Sequence, residues 1–68
     1  MRTVFEMTSD ALFDEAVSDL EDHSYVCAQA PNKPTSTGPW LAVLHDRDDF
    51  AAIEDIVVAI DPAAIRQT

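Results

Sequence analysis

Residues 31–39 read Pro-Asn-Lys-Pro-Thr-Ser-Thr-Gly-Pro, and they hold Pro31, Pro34, Pro39 and the only glycine of the chain, Gly38. Proline fixes φ and removes a backbone donor, so neither a helix nor an inner strand crosses this stretch. It is also too long for a two-residue hairpin turn. The loop cuts the chain into two parts, and at 68 residues in total neither part can bury a core alone. The two must fold onto each other, which predicts one domain over residues 1–68.

Before the loop, Thr3, Phe5 and Met7 alternate with Arg2, Val4 and Glu6, the period of a half-buried strand over 2–7. Ser9 offers a capping oxygen and Asp10 a first-turn acid. Leu12, Phe13, Ala16, Val17 and Leu20 then recur at helical spacing, which predicts a helix over 10–22. Residues 25–30 read as a second strand. After the loop, Trp40-Leu-Ala-Val-Leu-His45 is apolar on both faces and suits the most buried strand. Phe50, Ile53, Val57 and Ile60 share a helical stripe, which predicts a second helix over about 47–60, capped by Asp46 or Asp48. Asp61-Pro62 reads as the cap and first position of a short terminal helical turn through Ile65.

These elements predict an α+β domain in the order strand, helix, strand, strand, helix (βαββα). Its compact form is a three-stranded sheet with antiparallel pairing and both helices on one face. The β-branched run Ile56–Ile60 supports an alternative, a short second helix followed by a fourth strand, as in a ferredoxin-like fold. The other sheet face is left open, which predicts self-association into a homodimer.

Charge restricts function further. Thirteen Asp and Glu stand against four Lys and Arg, a formal net charge of -9. Phosphate backbones and anionic membrane surfaces would be repelled, so nucleic acid and membrane are not expected partners. No apolar run approaches the roughly 20 residues that span a bilayer. Glu6 interrupts the start of the chain, so no secretory signal is expected. One cysteine, Cys27, permits no internal disulfide, and the expected location is cytoplasmic.

Catalytic and metal-binding sets are thin, and neither an enzyme nor a cofactor is expected. His45-Asp46 lacks the further ligands of a metal phosphohydrolase. Asp46-Arg47-Asp48 is followed by Phe50 and Ala51 where a calcium loop needs a ligand and a glycine. Cys27 and His45 fall on neighbouring predicted strands, but Cys27 sits in an apolar run, as a core cysteine does.

The informative feature is the first helix outside its apolar stripe. Asp10, Asp14, Glu15, Asp19, Glu21 and Asp22 are there, with no Lys or Arg in the helix. Neighbouring carboxylates on such a face lie about 5–6 Å apart, close to the phosphate spacing of a nucleic-acid strand. Asp48 and Asp49 add acids at the start of the second helix. These eight residues are the candidate partner-binding set, and the partner they fit is a basic surface, that of a nucleic-acid-binding protein. In size, charge and texture the chain resembles the small acidic anti-defence proteins of phages, anti-CRISPR proteins and nucleic-acid mimics included. That resemblance implies an inhibitor. The alternative is a halophilic or acid-adapted regulatory domain whose charge serves solvation and which acts through self-association.

Overall fold

The alternating N-terminal segment and the apolar segment after the loop become the two inner strands of one sheet. The computed structural model describes residues 1–31 and 33–67. Its elements are β1 (Arg2–Glu6), α1 (Asp10–Asp22), β2 (Val26–Ala30), β3 (Trp40–Leu44), α2 (Phe50–Ile60) and β4 (Ile65–Arg66). All pairings are antiparallel, and the strand order is β2-β3-β1-β4. This connectivity is a split β-α-β of ferredoxin-like type. The expected three strands and two helices are all present. A fourth strand exists too, but it follows α2 instead of replacing its second half. The Ile56–Ile60 run stays helical and buries Val57 against the sheet.

The helix-facing side of the sheet carries Phe5, Leu41 and Val43. They join Met7, Ala16 and Leu20 with Ile53 and Val57 in one buried cluster, so both helices cover the same face. Each large apolar side chain so buried contributes roughly 1.5–3 kcal/mol. The opposite face is not simply open. Trp40 packs there against Val4, Ala30 and Ala42, and its indole Nε1 donates to Glu6 Oε2 at 3.0 Å. Trp40 is therefore a lid over the middle of that face. Val26 (62% exposed), Leu44 (53%) and Ile65 (58%) remain outside it.

Loops close around specific contacts. Ser9 caps α1 by accepting the Leu12 N–H at 3.2 Å. At the other end Ser24 adopts φ 69°, and its N–H bonds to Glu21 O while that of Tyr25 bonds to Leu20 O. This is a Schellman closure, built on serine where glycine is usual. The loop over 31–39 carries no strand or helix among its described residues, and Asn32 lies outside the described residues. Gly38 is needed where that loop meets β1, because a Cβ there would stand 1.9 Å from the Met7 carbonyl oxygen.

The C-terminal expectations need two corrections. A 3-10 turn over Arg47–Asp49 precedes α2: Asp46 stands at the N-cap of that turn without a side-chain cap bond, Asp48 lies inside the turn and caps nothing, and the N-cap position of α2 falls to Asp49, which makes no such bond either. Asp61 does not start a terminal helix. Its buried carboxylate accepts from Thr8 N at 2.8 Å, Thr8 Oγ1 at 2.9 Å and Ala63 N at 3.2 Å. These bonds reverse the chain at Pro62, and Ile65 then pairs with Glu6 on β1.

Two stability outcomes are expected. Asp61→Ala leaves the Thr8 donors without their acceptor and should cost roughly 2–4 kcal/mol in urea unfolding, with Asp61→Asn losing less. Ser24→Gly relieves a left-handed conformation costing about 1–2 kcal/mol, less the entropy of glycine, and should gain about 0.5–1 kcal/mol in the same assay.

Candidate functional site

Helical geometry sorts the acids of α1 into two flanks. With 100° per residue, Ala16 and Leu20 at the bottom of the helix leave Asp10, Asp14 and Glu21 on one side and Glu15, Asp19 and Asp22 on the other. The surroundings agree. Glu21 acts electrostatically on Cys27 of β2, and Asp10 lines a groove with Gln29 of β2 and the loop residues Ser36–Pro39. Glu15, Asp19 and Asp22 instead line a groove with Ile60 of α2. One flank therefore overhangs the β2 edge and the other faces α2.

The expected acidic face is thus two parallel rows, and Ser18 lies on the crest between them. Asp10, Asp14, Glu15, Glu21 and Asp22 are exposed, and Asp19 is half-buried. Like-charge neighbours three and four apart each cost roughly 0.2–0.5 kcal/mol, and Glu21 and Asp22 also face the negative end of the helix dipole. Besides the backbone closure at Ser24 and Tyr25, His23 relieves that end: its Nδ1 donates to Asp19 O at 2.8 Å and stands 3.9 Å from Asp19 Oδ1. Packing of Ala16, Leu20 and the half-buried Phe13 and Val17 outweighs these penalties, so the helix forms despite its surface.

Asp48 and Asp49 stand apart from the two rows. Asp48 is exposed on the 3-10 turn. Asp49 lines a cleft with His23, Ser24, Tyr25, His45 and Met1, just beyond the C-terminal end of α1. Partial desolvation raises the Tyr25 hydroxyl above its ordinary pKa, and the charge and hydrogen bond of Asp49 raise it further.

That cleft also holds a network not expected from the sequence. The buried His45 ring sits between Thr3 Oγ1, 2.7 Å from Nε2, and the Asp46 carbonyl, 2.7 Å from Nδ1. A carbonyl only accepts, so Nδ1 carries a proton and, in the neutral ring, Nε2 accepts from Thr3. The amino group of Met1 donates to His45 O at 2.7 Å. The one advance signal was Thr3, a hydroxyl among the inward positions of a strand.

Both ring nitrogens of His45 are therefore engaged, and neither is left to take a proton from Cys27. Burial pushes the Cys27 thiol up, and the Glu21 carboxylate pushes it further, the reverse of an activated nucleophile. Among the described residues no group of three or more His, Cys, Asp or Glu could hold a metal ion. No helix among them is long and apolar enough to cross a membrane. No known protein family, curated protein or solved structure matches the chain.

Because the thiolate is the reacting form, alkylation of Cys27 should rise with pH through a midpoint above that of an ordinary thiol. Glu21→Gln should move this midpoint down, leaving the larger part of the shift, which comes from burial, in place. Iodoacetamide rates measured across alkaline pH in the two proteins check this.

Proposed function

We propose that the protein is a small, non-enzymatic interaction protein that docks the acidic surface of α1 onto a basic surface of a partner. The partner class that fits best is a nucleic-acid-binding protein, whose groove the carboxylate rows would occupy in place of phosphates. This makes the protein an inhibitor of the phage anti-defence or nucleic-acid-mimic type. One observation carries the reading. α1 holds six carboxylates and no lysine or arginine, five of the six exposed, in two rows that the isolated helix would be more stable without. A basic partner would supply the compensation that the isolated helix lacks.

The test replaces Asp14 and Asp19 and Asp22 with Asn, and Glu15 with Gln, together. The variant should fold at least as well as the parent, since like-charge repulsion is removed. Exposed single pairs are worth about 0–1 kcal/mol each, so four changes should weaken a basic partner clearly where one would show little. Capture from lysate of the native host, with parent and variant side by side, reads the outcome. Binding should also weaken as salt rises. Equal recovery of the same partner by both proteins rejects the reading and leaves the charge as solvation.

A further inference from the structure

The two edges of the sheet are guarded unequally. β4 is a two-residue strand, too short to template another, and it ends in Arg66. β2 is five residues long, Val-Cys-Ala-Gln-Ala, with no proline and no charge. Those are the devices that ordinarily keep an edge from pairing, along with bulges, and β2 pairs with β3 residue for residue without one. Among the described residues, no backbone hydrogen bond from outside the sheet pairing reaches Val26–Ala30.

Directly above this edge runs the Asp10–Asp14–Glu21 row. At 1.5 Å rise per residue the row is about 16 Å long. Five residues of strand at about 3.3 Å each give nearly the same length. The two run side by side, since Asp10 lines one groove with Gln29 near one end of β2, and Ser24 and Tyr25 lead directly from the end of α1 beyond Glu21 into the other end of β2. A strand added to β2 would therefore point every second side chain toward the flank that carries Asp10 and Asp14 at one end and Glu21 at the other.

We propose that the outer edge of β2 receives an extended, basic segment of the partner as an added strand. Main-chain hydrogen bonds to Val26–Ala30 supply the pairing, and Lys or Arg at alternate positions meet Asp10, Asp14 and Glu21. The inference rests on the reading of α1 as a docking surface and says which flank is used and in what form the partner arrives. The same charges make a second copy of the chain the wrong occupant. Two-fold pairing of β2 with β2 would set the acidic flanks of two α1 helices against each other, with a formal charge of -9 on each chain.

The experiment uses the whole protein and a short peptide alternating Arg and Val, with two controls: the same peptide N-methylated at every residue, which blocks both strand edges, and a Glu–Val peptide. Amide hydrogen exchange of Val26–Ala30 should slow about tenfold with the Arg–Val peptide at saturation and stay unchanged with either control. A variant carrying Asp10→Asn, Asp14→Asn and Glu21→Gln should bind the peptide about tenfold more weakly, and one carrying Glu15→Gln, Asp19→Asn and Asp22→Asn far less so. Equal binding of the N-methylated peptide, or a loss confined to the second variant, overturns strand addition and leaves the docking role of α1 standing. So does protection of β2 that grows with protein concentration alone, which would make the occupant a second copy. If no basic peptide slows exchange in β2 the inference fails as well, while the role of α1 is decided separately by capture from the host.

Discussion

The buried carboxylate of Asp61 joins the end of α2 to the residues that follow β1, reaching Thr8 across 53 positions of sequence. Much of the fold hangs on this junction. It fixes where α2 stops, so that Ile53 and Val57 face Phe5 and Leu41. It turns the chain at Pro62 and delivers β4 to β1, where Gln67 N–H bonds to Val4 O at 2.7 Å. A buried carboxylate is costly unless its oxygens are occupied, and here both are. An interaction so placed closes the second β-α-β crossover, and without it β1 would be a sheet edge.

What could be read in advance followed from local chemistry. Ser9 before an apolar stripe marked the start of α1, and three prolines around Gly38 marked the loop. The alternation around Phe5 set the inward face of β1. What escaped depends on partners distant in sequence. Asp61 before a proline looks like a helix cap until Thr8 is known to stand beside it. β4 is two residues long and carries no periodicity. Ser24 takes a left-handed conformation with no glycine to announce it. The acids of α1 were legible as residues but not as two rows, because which flank faces β2 and which faces α2 is set by the handedness of packing.

Stability and charge are in tension across this molecule. Its apolar side chains are spent mainly on one face of one sheet, and Trp40 has to shield the other from within. Against that small core stand repelling carboxylates on α1 and a helix end without a cationic side chain in its last turn. The protein tolerates these because they lie on the surface, where solvent and salt reduce each penalty to a fraction of what one buried leucine contributes.

The strand order has a consequence for how the chain comes off the ribosome. β1 is made before both of its neighbours in the sheet, β3 and β4, and Arg2 pairs with Leu44. Until residues 40–44 emerge, the newborn N-terminal segment can offer a helix but no sheet. β2 likewise has no strand to lie against before β3 exists. Closure of so many distant contacts is slow relative to helix formation, and strand edges stay uncovered meanwhile. The negative charge of α1 lies between the two strands, β1 and β2, that have no partner until β3 emerges. Like charges on α1 of two chains repel, so the acids of this helix oppose edge-to-edge joining while the strands are still unpaired.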